Sequence, residues 1–205
     1  MAHDDPPSDV LPRLEKAEQM KLSCRHEEAL IILEELLFED PENVAALEEV
    51  ADNELSLNRY GRAETAAKQA IALDKDSYTG EYIMGFLRSR TEDWTEAVLH
   101  LRRANLLKSN NPEILRCLGW ALFNTGERAQ GIVTLERSLN LEDDSTLTLC
   151  DLGIAYLELR NFAKSHALFL RALDLDPENT RARECIKALE RLRAALTTVQ
   201  EKVAS

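Results

Sequence analysis

Aromatic side chains are scarce in this sequence, at 5% of 205 residues, and so are glycine and proline, at 7 and 6. An all-β sandwich or barrel turns often and draws heavily on aromatic and β-branched side chains, so these shortages argue against one. Ala29 to Leu33 is a short apolar run of five residues, far below the roughly 20 that span a bilayer. No membrane insertion is expected. The start, Met1-Ala2-His3-Asp4-Asp5-Pro6-Pro7, has neither a basic n-region nor an apolar h-region, so no secretory signal is expected. Cys24, Cys117, Cys150 and Cys185 are widely spaced and form no Cys-x-x-Cys pair. They read as reduced thiols of a cytoplasmic protein.

Positive charge is also short: 25 Lys and Arg stand against 37 Asp and Glu, a net −12. The imbalance is local. Residues 1–60 hold 16 acidic and 5 basic side chains, and 61–205 hold 21 and 20. A chain this acidic is repelled by polyanions, which excludes nucleic acid as a natural partner and disfavours anionic membranes. Either the acidic end steers a basic partner or it is a solvated surface.

Catalytic motifs are missing as well. The glycines are scattered and form no phosphate loop, and neither Gly-x-Ser-x-Gly nor His-Glu-x-x-His occurs. Cys24 and His26 gather no further ligand in sequence, and read as a helix-turn pair rather than a metal site. Cys117 and Cys150, at nearly equivalent points of neighbouring helices, read as small core-lining residues. Asp143-Asp144 and Glu48-Glu49 lack the apolar surroundings that would split two carboxyl pKa values. No catalytic residue, cofactor or metal is expected, and the chain does not read as an enzyme.

What the sequence does hold is helix formers and a period. Ala, Leu, Glu and Arg dominate, and 44% of residues are apolar, enough for a real core. Small residues recur at Ala17, Ala51, Gly85, Gly119 and Gly153, every step 34. Two further series keep that step: Ala29, Ala63, Ala97, Gly131, Ser165, and Leu36, Ala70, Ala104, Ser138, Ala172. A missing or short side chain is what lets two helix backbones cross closely. Leu47, Leu115 and Leu149, with Leu33, Leu101, Leu135 and Phe169, would fill the space around each crossing.

Local signals set the boundaries. Asp40-Pro41-Glu42, Asn111-Pro112-Glu113 and Asp176-Pro177-Glu178 each place a cap residue before a first-turn proline and an acid. Asn58-Arg59-Tyr60-Gly61, Asn124-Thr125-Gly126 and Arg160-Asn161-Phe162 mark turns inside hairpins. Helices are predicted over 10–23, 26–39, 44–57, 60–73, 78–90, 94–107, 112–124, 128–141, 146–158, 162–175 and 178–200.

This pattern resembles the tetratricopeptide repeat family over about residues 10–177. Leu149, Gly153, Tyr156, Ser165, Phe169, Ala172 and Pro177 match it best. Arg13, Lys16 and Glu54 stand where apolar residues are usual, so the N-terminal hairpins are expected to depart from the pattern. The resemblance implies an all-α, right-handed superhelical solenoid of five antiparallel helix pairs, at about 10–43, 44–77, 78–111, 112–145 and 146–179. A disordered acidic, proline-bearing tail at 1–9 would precede it, and a capping helix and short tail at 178–205 would follow.

In that family the first helix of each hairpin lines a concave groove. Carried over, the groove positions are Glu18, Lys21, Glu48 and Asp52, with Leu11, Leu14, Ala45 and Leu55, in the first two repeats. The third supplies Thr79, Tyr82, Phe86 and Ser89, the fourth Glu113, Arg116, Trp120 and Phe123, and the fifth Leu147, Cys150, Ile154 and Leu157. The implied partner-binding set is Tyr82, Phe86, Arg116, Trp120, Phe123, Cys150, Ile154 and Leu157, with Glu18, Glu48 and Asp52 as acidic steering groups. Members that grip acidic chaperone tails use Lys, Asn and Arg there, so these carboxylates argue against such a ligand. The expected function is an adaptor or assembly chaperone holding an apolar or amphipathic protein segment with basic flanks. Two other occupants stand beside it: the chain's own tail, and a second copy forming a homodimer. A homo-oligomeric scaffold joined through the last helix, by the stripe Ile186, Leu189, Leu192, Leu196 and Val199, is the alternative function.

Overall fold

The computed structural model describes residues 9–191, and every described secondary-structure element is helical. The chain divides into two compact units, Met1–Ser109 and Asn110–Ser205. The first unit holds α1 (Val10–Leu22), α2 (His26–Glu39), α3 (Val44–Ser56), α4 (Tyr60–Leu73), α5 (Tyr78–Arg90) and α6 (Trp94–Leu107). The second holds α7 (Pro112–Thr125), α8 (Arg128–Leu141), α9 (Thr146–Glu158) and α10 (Phe162–Leu175). A further helical stretch covers 180–191.

Successive helices pair as α1 with α2, α3 with α4, α5 with α6, α7 with α8 and α9 with α10. First helices also touch the next first helix within a unit, α1 with α3, α3 with α5, and α7 with α9. All three 34-residue small-residue series are buried. At Gly119 an added Cβ would lie 2.8 Å from the backbone nitrogen of Leu135 and 2.9 Å from the carbonyl oxygen of Gly131. Leu33, Leu101, Leu135 and Phe169 are fully enclosed around these crossings.

The turns repeat too. Cys24, Asn58, Glu92, Gly126 and Arg160, each 34 from the next, carry φ of 57°, 58°, 60°, 99° and 58°. Every hairpin therefore turns through one left-handed residue, a conformation that costs a side chain little only at glycine or asparagine.

The caps correct the sequence reading. Asn111 does cap α7, its Oδ1 accepting the Ile114 amide at 3.0 Å with Pro112 in the first turn. Asp40 and Asp176 are the C-cap residues of α2 and α10 and are not the N-caps of the helices that follow. Their carboxylates instead accept the Glu42 and Glu178 amides, both at 3.1 Å, in the preceding turns. The caps there are Asn43, which accepts Ala46 N at 3.0 Å, and Asn179, which accepts Ala182 N at 3.0 Å. With Ser77 and Ser145 they complete a series, 43, 77, 111, 145 and 179. Pro41 and Pro177 lie two residues before their caps, whereas Pro112 follows its own.

The N-terminal departures are absorbed by ion pairs. Glu54 is fully buried, with Arg62 Nε 2.9 Å and Arg59 Nη1 3.8 Å from its two oxygens. Arg62 and Arg59 also pair with Glu34 and Glu27 of α2, so one chain of charges joins the first two hairpins. Arg13 pairs with Glu35 and Glu39 at 3.6 and 2.9 Å, and Lys16 is exposed. At the other end, Leu189 is buried and Ile186 packs against α9 and α10. Leu192, Leu196 and Val199, and residues 1–8 of the tail expected at 1–9, lie outside the described residues.

Candidate partner-binding faces

The predicted site residues fall in both units, and each face is described by itself. In the first unit, α1, α3 and α5 present Glu18, Glu48, Asp52, Tyr82 and Phe86. Glu18 is exposed. Asp52 is offset by Lys21, whose Nζ lies 2.9 Å from it and 2.8 Å from Glu49. Glu48 accepts a 2.5 Å hydrogen bond from Ser77 Oγ. Burial pushes its carboxyl above the usual range; the Ser77 bond opposes this, and Asp74 and Glu49 add to it. Only Glu18 of the three carboxylates is therefore a fully solvated charge. Tyr82 and Phe86 are partly exposed, tilted at 47° with centroids 6.4 Å apart, and their inner edges rest on the unit's apolar core.

In the second unit the face is built from α7, α9 and the stretch 180–191. Trp120 is partly exposed, and the Arg181 guanidinium stands 5.9 Å from its ring centre. Ile154 and Leu157 are partly exposed and lean on the α9–α10 core. Three predicted anchors differ from expectation. Phe123 is 2% exposed, stacked on Trp120 at 6.2 Å and 12°, with Arg128 above it at 5.4 Å. Cys150 is 1% exposed, its sulfur 3.8 Å from the capping oxygen of Asn179. Burial raises its thiol to about 11. Both belong to the core and neither presents itself to a partner.

Arg116 is the third. Its guanidinium gives Nε and Nη2 to Glu113 at 2.9 and 2.6 Å and Nη1 to Asp151 at 2.9 Å. The side chain is 14% exposed, so its donors are committed within the fold. The neighbouring Cys117 thiol is pushed far up, chiefly by burial.

The centre of this arrangement is Asp151, which the sequence reading passes over. Its carboxylate is 3% exposed and takes Arg116 on one oxygen and Arg181 on the other, each at 2.9 Å. A signal for it exists: an acid inside the run Leu149-Cys150-Asp151-Leu152 on an otherwise apolar helix face. A comparable buried acid, Glu81, sits between His100 and Arg103 at 2.6 and 3.0 Å in the first unit. Beside Asp151, a cleft of about 320 Å³ opens between Leu147, Cys150, Asp176, Asn179 and Arg181.

Among the described residues, no three His, Cys, Asp or Glu side chains converge as metal ligands. No helix there is long and apolar enough to cross a membrane.

Residues 147–179 match the model of the tetratricopeptide repeat, the stretch the sequence also marks as the best repeat. With consecutive helix pairs among the described residues, the chain has the fold of a tetratricopeptide-repeat array, about five helix pairs followed by a further helix. Solved structures share the fold at low identity. A thermophilic tetratricopeptide-repeat protein of Thermus thermophilus is 21% identical with a TM-score of 0.66, covering 87% of this chain and 97% of that one. YrrB, described as a tetratricopeptide-repeat protein with an unusual peptide-binding site, is 20% identical with a TM-score of 0.63, covering 87% and 92%. A chain of the Cut9–Hcn1 hetero-tetramer of the APC/C is 18% identical with a TM-score of 0.78, covering 89% of this chain and 36% of that one. No curated protein matches the sequence.

Proposed function

We propose that this chain is a non-catalytic protein–protein interaction scaffold whose first-helix faces hold an apolar or amphipathic segment of another protein. The observation that carries this is the set of partly exposed rings on those faces: Tyr82 and Phe86 in one unit, Trp120 beside Arg181 in the other. Rigid rings, each backed by core and open on one side, are the anchors that dominate interface energies. Ile154 and Leu157 extend the second face. Phe123 and Cys150 drop out as contacts, and Arg116 positions the face rather than binding a partner.

Charge narrows the partner. Arg116 is already neutralised by two carboxylates, so an acidic tail finds no free fork there. Glu18, with the acidic excess around it, favours a segment with basic flanks and speeds its approach. The peptide-binding description of YrrB and the assembly that contains Cut9 and Hcn1 are in keeping with a scaffold. Free thiols fit a reducing cytoplasm, and an adaptor or assembly chaperone is the role these features suit.

The test is recovery of a partner from native cytoplasm by the wild-type chain and by a Trp120→Ala, Phe86→Ala variant, followed by titration of the purified partner against both. Loss from a folded variant supports the reading. Equal affinity for both removes the rings from the function.

A further inference from the structure

The first unit treats the two groove acids of α3 differently. Asp52 is held by the Lys21 ammonium at 2.9 Å, and Glu49 shares that cation at 2.8 Å. Glu48 is half-buried, and among the described residues no cation pairs with it. Its Oε1 accepts the Ser77 hydroxyl, and its Oε2 accepts nothing. Ser77 is buried and caps α5, its oxygen accepting the Gly80 amide at 3.1 Å. That bond turns the hydroxyl proton toward Glu48 and fixes the carboxylate against the first turn of α5. Lys108 is near enough to favour the charged form, but its ammonium is given to the Tyr78 hydroxyl at 2.9 Å and stands 4.3 Å from that ring's centre. Asp74 and Glu49 add negative charge.

A carboxylate drawn out of water is costly until a cation or several donors answer it. Glu48 has one neutral donor. The upward displacement of its carboxyl, caused first by burial, has the same origin. One repeat further on, the positions of Glu48 and Asp52 are taken by Tyr82 and Phe86, and α3 packs against α5. The acid and the rings therefore adjoin on one partly exposed face. A ring offers an apolar body and a negative π-face, which a long cationic side chain uses together. A metal ion is not served, because no three ligating side chains converge among the described residues. An acidic side chain would be repelled by Glu48 and Asp74.

We propose that the α3–α5 face holds one lysine or arginine side chain of the partner segment, its charged head on Glu48 Oε2 and its aliphatic stem along Tyr82 and Phe86. This rests on the reading of these faces as partner-binding surfaces. Glu48 selects the partner by contact, whereas Glu18 acts at a distance. With Ser77 on one oxygen and the incoming head on the other, the carboxylate is satisfied only in the complex. A single open oxygen suits an ammonium as well as a guanidinium, since no bidentate fork is needed.

The probe is acetyl-Leu-Arg-Leu-amide, with lysine, neutral citrulline or glutamate replacing the arginine in turn. Each is titrated into the full chain at about 0.15 M salt, where charges beyond about 8 Å are screened, and followed by NMR at the Tyr82 and Phe86 rings and the Glu48 carboxyl carbon. The arginine and lysine peptides are expected to bind saturably and about tenfold or more tightly than the citrulline peptide. Glu48→Gln keeps an acceptor for Ser77 and is expected to leave helicity and Tm unchanged while abolishing the preference. Glu18→Gln makes the same charge change at a solvated site and is expected to alter it less than about twofold. Acidification is expected to remove the preference, starting at a higher pH than for an ordinary carboxyl, because only the ionised form holds the cation. No saturable shift with either cationic peptide, a preference that survives Glu48→Gln, or an equal loss in Glu18→Gln each overturns the proposal. Equal binding of the arginine and citrulline peptides, lost in Phe86→Ala, overturns the role of Glu48 and leaves the rings as anchors. Charge preference in the wild type beside a native partner that ignores Trp120→Ala with Phe86→Ala fails the proposed function alone.

Discussion

Gly131→Ala probes the helix crossing that organises the second unit. A Cβ at Gly131 would sit 2.6 Å from the Phe123 amide nitrogen, 2.7 Å from the Gly119 oxygen and 2.9 Å from the Phe123 Cα. Those atoms are backbone of the facing helix and do not move aside as a side chain would. Ordinary contact at about 3.5 Å requires α7 and α8 to part by roughly 1 Å, and such a gap forfeits a quarter to a half of the attraction at neighbouring contacts. Overpacking of this kind costs about 1–3 kcal/mol. Alanine returns about 1 kcal/mol through helix propensity. The net expectation is a loss of up to about 2 kcal/mol. Gly61→Ala is the control: it lies in α4 with nothing within 4 Å of its added Cβ, so it is expected to gain about 1 kcal/mol. Urea unfolding followed by far-ultraviolet circular dichroism reads both. The same logic makes Gly119→Leu worse than Gly131→Ala, by roughly 3 kcal/mol or more in total. A gain at Gly131→Ala equal to that at Gly61→Ala would refute the close crossing.

Other outcomes follow from the site. Trp120→Ala with Phe86→Ala is expected to cost about 2 kcal/mol of binding per ring, measured by calorimetry, with thermal unfolding nearly unchanged. Asp151→Ala leaves the buried Arg116 with Glu113 alone and removes the anchor of Arg181, and is expected to lose about 1–3 kcal/mol in denaturant unfolding, whereas Arg181→Ala, which keeps both Arg116 pairs, loses less. Glu54→Leu replaces a buried carboxylate by an apolar side chain while Arg59 and Arg62 keep Glu27 and Glu34; a Tm at or above wild type is expected. Thiol labelling near neutral pH is expected to modify exposed Cys24 rapidly and to spare Cys117 and Cys150, whose thiols burial holds protonated. Rapid labelling of all three in the folded chain would contradict their burial.

The crossings were legible because a 34-residue period repeats one packing solution, and every small residue in it is buried. The caps were partly legible. Proline drew attention to Asp40 and Asp176, while the capping asparagines three residues on at 43 and 179 carry no such flag. Phe123 misled because it lies three residues from Trp120, a spacing that shares a face. The close approach of α8 at Gly131 covers Phe123 and leaves Trp120 open, which depends on depth of packing rather than on spacing. Arg116 falls in the implied partner-binding set because nothing nearby in sequence marks its partner Asp151, 35 residues away, or Arg181, the other partner of that acid, 30 beyond it. Pairings at such separations emerge only when three first helices stand side by side.

Asp151 has a consequence for how such an array is cut or grafted. A repeat is commonly treated as an interchangeable cassette, yet this one carboxylate is shared by α7, α9 and the stretch 180–191. Excising the last stretch would do more than expose an apolar end. It would withdraw one of the two cations that hold a buried anion and strip the guanidinium from beside Trp120, two repeats back. The smallest transplantable recognition unit therefore runs from α7 through residue 191, and a graft that respects only the 34-residue period would carry the rings without the charges that set them.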